Sequence, residues 1–122
     1  MADYWLDHIH LMSPDPLKTA EFYENMFGAK RISARDEGDG RASAKLDLSG
    51  ITILIGQRTG DDAQFGLVHF GIGTKNLETA VETMKADGVE FTQDVREVRP
   101  GFKISFLKAP EGVSIELQEG SA

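Results

Sequence analysis

Cysteine is absent from this chain of 122 residues, so no disulfide can staple it and no thiolate can act as nucleophile or metal ligand. That composition suits a reducing compartment, and a cytoplasmic protein is expected. Long apolar runs are missing too: no stretch approaches the ~18 residues a membrane-spanning helix requires. The first residues, MADYWLDHIH, carry no basic segment leading into an apolar one, so a soluble, unprocessed chain is expected. Lysine and arginine are outnumbered by acids, 13 against 20, for a formal net charge of −7. Such a balance argues against nucleic acid, whose phosphates call for clustered cations. What remains is 40% hydrophobic residues over a length that suits one domain with a real core.

What the chain does contain is itself, twice. LDHIHLM from Leu6 and LVHFGIG from Leu67 align His8 with His69 at an offset of 61. PLKTAEFYENMFGA from Pro16 and NLETAVETMKADGV from Asn76 then match Leu17 with Leu77, Ala20 with Ala80 and Gly28 with Gly88 at an offset of 60. Each half closes on a glycine-led apolar strand, GITILIG from Gly50 and GVSIELQ from Gly112. A repeat of this length is one supersecondary unit used twice. The spacing predicts an α+β fold with strands at about 6–12, 29–34, 42–48, 51–57, 66–73, 89–93, 102–108 and 113–118. Two helices are expected, one from Pro16 to a stop at Gly28 and one over 76–87, with Asp15 capping the first. Module one then covers 5–57 and module two 66–119 of a single domain, 1–122.

Strand alternation turns this layout into chemistry, because side chains change face every residue. Ile9 and Leu11 oppose His8 and His10; Phe70 and Ile72 oppose His69; Ile115 and Leu117 oppose Ser114, Glu116 and Gln118. The aliphatic faces suit packing under helices, which leaves His8, His69 and Glu116, three metal-grade ligands, on the other face. The same counting puts Lys45, Asp47, Lys103, Ser105 and Gln118 there, where solvated strand ends explain them equally well. His10 shares the face of His8, either as an acid or base or as a wall residue. Phe22, Tyr23 and Phe27 are expected in the core, Glu111 and Gly112 in a turn, and Tyr4 and Trp5 at a pocket mouth or a dimer contact.

DHIHL with AEFYENMFGA, and VHFGIG with FLKAPEGVSIELQE, resemble the vicinal oxygen chelate superfamily, the group of glyoxalase I, methylmalonyl-CoA epimerase, extradiol dioxygenases and bleomycin-resistance proteins. The resemblance spans about Leu6 to Glu119. It implies paired βαβββ modules whose curled mixed sheets form a metal-binding cup, completed by dimerisation, with one divalent ion per chain (Fe, Mn, Ni, Co or Zn) on His8, His69 and Glu116. Glu116 and His10 are the implied catalytic groups. The fourth ligand position of the family falls on Leu54 (116 − 62), which cannot ligate. The resemblance therefore implies a metal-dependent lyase, isomerase or ring-cleaving dioxygenase acting on a small substrate with vicinal oxygens. It also implies a homodimer in which His8 of one chain meets His69 and Glu116 of the other. The alternative is a metal-free module of the bleomycin-resistance type that sequesters a ligand.

Overall fold

The computed structural model describes residues 4–60 and 63–121. Its elements run β1 (Tyr4–Ser13), α1 (Pro16–Phe27), β2 (Lys30–Asp36), β3 (Ala42–Leu48), β4 (Ile51–Gln57), β5 (Gly66–Thr74), α2 (Leu77–Ala86), β6 (Glu90–Arg99), β7 (Phe102–Lys108) and β8 (Ser114–Glu119). This is an α+β fold in which the βαβββ order occurs twice. By contacts the chain divides into two compact units, His8–Val68 and Met1–Asp7 with His69–Ala122. Among the described residues no helix is long and apolar enough to cross a membrane.

In the unit His8–Val68 the strand order is β2-β3-β4-β1, with β1 and β4 parallel and the other neighbours antiparallel. A parallel pair needs a long crossover, which α1 and the β2–β3 hairpin supply. Asp15 accepts a hydrogen bond from the Lys18 N–H and caps α1, and Gly28 ends it at φ 74°, ψ 22°, the left-handed conformation that glycine adopts without a Cβ penalty. Ser49 and Gly50 both have positive φ, the requirement of the two-residue turn whose twist matches its flanking strands. Ala20 of the helix packs on Leu11, Ala44, Leu46, Ile53 and Ile55 of the sheet, all nearly inaccessible to solvent.

One expectation is corrected in α1. Ala20 is buried and Tyr23 packs against the core, but Phe22, Met26 and Phe27 are 53%, 64% and 61% exposed. The helix turns Pro16, Ala20 and Tyr23 to the sheet, so Phe22 and Met26 lie on the adjoining outer stripe. Phe27 sits on the last turn, where its ring contacts Phe22 and Tyr23 instead of the core.

The other unit repeats the plan, with order β5-β8-β7-β6. Strand β5 runs parallel to β8, and β7 is antiparallel to both its neighbours. Helix α2 is capped by Asn76, whose side chain accepts from the Thr79 N–H, and by Glu119, whose carboxylate accepts from the Leu77 N–H at 2.9 Å. An anionic oxygen there suits the partial positive charge of a helix start. Leu77, Ala80, Val81, Leu107 and Leu117 form its core. Strand β6 continues to Arg99, six residues beyond the expected end, because TQDVREVR reads as loop by composition yet pairs with β7 through three register shifts.

Candidate metal and substrate face

Pairing register, rather than counting along one strand, decides which side chains share a face. In the second unit Gly71 pairs with Glu116 and Gly73 with Gln118, so His69, Gly71 and Gly73 stand on the Glu116 side of the sheet. Across the next ladder Phe106 is opposite Glu116, and Ile104 is opposite Gln118. His69 Nε2 lies 3.6 Å from Glu116 Oε1, with the two side chains only 13% and 12% exposed. The Phe106 ring meets the His69 imidazole edge to face, with centroids 5.2 Å apart and planes at 84°. Sequence reasoning missed Phe106, because the β7–β8 register that puts it opposite Glu116 cannot be counted along one strand.

Separation of the two donor atoms is informative. At 3.6 Å they are beyond ordinary hydrogen-bond length, yet close to the ~3.0–3.4 Å that separates adjacent ligands on one ion with bonds of about 2.1 Å. The donor set, an imidazole nitrogen and a carboxylate oxygen under an aromatic cover, therefore fits a divalent cation.

The same ladder corrects two residues. Lys103 pairs with Glu119 and Ser105 with Leu117, so both belong to the helix side and not to the Glu116 face. Lys103 Nζ reaches Glu78 on α2 at 2.8 Å, and this hydrogen bond, with the Glu78 charge, raises the lysine pKa above its ordinary value. Ser105 is completely buried, and no hydrogen-bond partner of its hydroxyl is found among the described residues. Gln118 does stand on the Glu116 face, but its amide donates to the Gly120 carbonyl and ties down the strand end. Glu111, at φ 64°, lies in the turn Pro110–Gly112 as expected.

Trp5 belongs to this unit as well. A Cβ on Gly73 would sit 2.3 Å from the indole nitrogen and under 3 Å from two further ring atoms, so the ring lies directly over the Gly73 backbone. The indole is thereby a wall beside the strand that carries His69.

In the unit His8–Val68, His8 pairs with Thr52 and His10 with Leu54 along the parallel ladder. Lys45 is opposite Leu54, and Asp47 is opposite Thr52, so these side chains share the histidine face as expected. His8 is 3% exposed and His10 partly buried; their rings lie 6.3 Å apart at 65°. Gly56 leaves room for His10, since a Cβ there would meet its Nε2 at 3.4 Å and the Met12 sulfur at 3.0 Å. Asp47 accepts from the Gly50 N–H in the hairpin turn at 3.5 Å. Leu54 stands on this ladder where Glu116 stands on the other: His10 with Leu54 and Gly71 with Glu116 are the same rung of the repeat. On this rung the first unit thus sets Leu54 beside His10, where the second sets Glu116 beside Gly71.

These faces, on duplicated βαβββ units, define the class. Residues 5–117 match the model of the Glyoxalase/Bleomycin resistance protein/Dioxygenase superfamily, and the chain belongs to that family. Among particular relatives, lactoylglutathione lyase GLX1 of Arabidopsis thaliana is 29% identical over an alignment of 119 residues that covers 90% of this chain and 42% of that protein. The chain thus spans about two-fifths of the length of the curated relatives it matches. A hypothetical protein from Bacillus halodurans shares the fold at a TM-score of 0.80 and 21% identity, covering 98% of this chain and 96% of its own. Streptomyces coelicolor methylmalonyl-CoA epimerase, in complex with 2-nitronate-propionyl-CoA, is similar at a TM-score of 0.70 and 26% identity, over 96% of this chain and 97% of the other.

Proposed function

We propose that the protein is a divalent-metal-dependent enzyme, a lyase, isomerase or ring-cleaving dioxygenase, acting on a small substrate with two vicinal oxygens. The carrying observation is the buried His69–Glu116 pair, whose donor atoms lie 3.6 Å apart on adjacent strands. His8, its counterpart in the repeat, is the third proposed ligand, and the metal is drawn from Fe, Mn, Ni, Co and Zn. When bound, such an ion supplies Lewis-acid polarisation of adjacent substrate oxygens. Glu116 Oε1 and the His10 imidazole are the groups proposed to take up or return a proton. The Phe106 ring packs edge to face on the His69 imidazole and helps to shield it from solvent. We further propose a cytoplasmic homodimer that binds neither nucleic acid nor membrane.

Leu54 narrows the reaction. It leaves no carboxylate on the His10 rung, so turnover of methylglyoxal with glutathione should be weak with nickel, cobalt or zinc. Catechols with iron(II) under air are the contrasting assay.

The test is metal content after purification without chelator or affinity tag and exhaustive dialysis. Wild type should retain about one divalent ion per chain. Glu116→Ala should lose affinity by more than the ~10–100-fold that removing a supporting hydrogen bond costs. Equal metal content in the two proteins would overturn the site, and a wild type that binds ligand without metal would favour the sequestering module.

A further inference from the structure

Each unit has a rung that crosses its four strands in register, and the two rungs differ in charge. In the first unit the rung reads His10, Leu54, Lys45 and Ser33 across β1, β4, β3 and β2. In the second it reads Gly71, Glu116, Phe106 and Gln93 across β5, β8, β7 and β6. Lys45 therefore stands where the repeat has Phe106. An ammonium occupies the place of a ring.

Its neighbours fix where Lys45 points. Ala44 and Leu46 are buried in the core beneath α1, so the side chain between them projects from the opposite face, that of His8 and His10. Lys45 is half-buried, and among the described residues it makes no ion pair. A charge taken partly out of water is costly until a counter-charge meets it. Asp47, one rung along, is turned to the hairpin, where it accepts from the Gly50 N–H.

Two further cations share the face: Lys30 is opposite Asp47, and Arg35 is opposite Ser43, which pairs in turn with Gly56. Strands β2 to β4 thus present three cations and one carboxylate there, in a chain whose formal net charge is −7. A face that reverses the sign of the whole chain attracts anions to itself. We propose that Lys45 binds an anionic group of the substrate, a carboxylate carried a few bonds from its two vicinal oxygens. This deepens the proposed function and rests on the face of His8 and His10 being the substrate's. Adjacent strands lie about 4.8 Å apart, which puts the Cα atoms of Lys45 and His10, two strands from each other, roughly 10 Å apart. Both side chains reach inward over Leu54, so the span left between ammonium and imidazole is that of a short carbon chain on an apolar floor. The substrate class is then an oxo or hydroxy acid with a second, distal carboxylate, held by a charge-assisted hydrogen bond.

The experiment titrates the full chain calorimetrically, with and without Mn²⁺, with 2-oxoglutarate and with 2-oxohexanoate, which keeps the vicinal oxygens and ends in a methyl group in place of the distal carboxylate. Wild type should bind 2-oxoglutarate at least tenfold more tightly, and the preference should shrink as salt rises. Lys45→Met, which keeps the length of the side chain and removes its charge, should bind the two acids equally while 2-oxohexanoate affinity and metal retention stay as in wild type. Lys45→Gln should behave in the same way, so a folding defect in one variant leaves the other to decide. Lys45→Arg should restore the preference. Lys75→Met removes the same charge from an exposed position before α2 and should keep the preference, which separates a local contact from a change in net charge. Equal binding of the two acids by wild type, or binding of neither, would overturn the proposal, and a preference retained by Lys45→Met would overturn the assignment to Lys45. Failure of the metal site alone has a different signature: Mn²⁺ changes the affinity of neither acid, and the Lys45-dependent ratio between them persists and supports the anion contact.

Discussion

Substituting Gly73 by alanine should be destabilising for one reason only, and the reason can be removed. Gly73 has no positive φ, so its backbone accepts any residue, and Gly→Ala in such a strand ordinarily stabilises by about 0.4–1 kcal/mol through the unfolded chain. Here the new Cβ would come within 2.3 to 2.7 Å of three atoms of the Trp5 indole. A ring is not the yielding tip of a flexible chain, so Trp5 must rotate away or β5 must shift, a kind of overpacking that costs about 1–3 kcal/mol. For a chain of this size that corresponds to a melting temperature lower by roughly 3–15 °C. Trp5 is the only tryptophan, so its emission reports the displacement directly and should move to longer wavelength as the indole gains water. In a Trp5→Ala background the clash is gone, and Gly73→Ala should become neutral or stabilising. The coupling in this double-mutant cycle is therefore expected to reach about 1.5–4 kcal/mol. A Gly73→Ala penalty of the same size with and without the indole, or an unchanged emission spectrum, would refute the placement of Trp5 over β5.

Leu54→Glu restores a carboxylate on the rung of His10 and should tighten metal retention at least tenfold, about 1.4 kcal/mol, while raising turnover of methylglyoxal with glutathione; robust wild-type turnover would refute the argument from Leu54 and make Asp47 the next residue to replace. Sedimentation should give a homodimer. Mixing His8→Ala with Glu116→Ala chains should then recover about a quarter of the metal sites if each site draws on both chains, and no recovery would refute the shared site. Ser105→Ala removes a buried hydroxyl and should raise stability by about 1 kcal/mol in denaturant unfolding; a loss of that size would reveal a partner for the hydroxyl.

Much of the fold was legible because the repeat is long and its punctuation is local. The bounds of β3, β4 and β7 match their expected ranges, and α1 stops at the glycine that ends its apolar pattern. The rung shared by Leu54 and Glu116 could be counted from the offset before any coordinates. Register was not legible: the phase of β7 is set by its ladder with β8, so counting along the strand put Lys103 and Ser105 on the wrong side. Nor does a helical stripe say how far a sheet extends beneath it, which is why Phe22 and Phe27 were expected in the core. The Trp5–Gly73 contact joins residues far apart in sequence, and neither carries a local mark of it.

Strands β2 and β6 each end the strand order of their unit. All seven residues of β2 are exposed, four of them are charged, and its pairing shifts between Arg31 and Ser33; Arg31 is held by a two-pronged bond to Glu24 of α1. Strand β6 carries Asp94, Arg96, Glu97 and Arg99 and three such shifts. Charged, irregular borders of this kind offer a poor template for an incoming strand. A neighbouring chain would have to lay charge against charge across a broken ladder, so growth of the protein into open-ended fibres through these two strands is blocked. Any pairing of two copies would therefore have to use other surfaces of the chain.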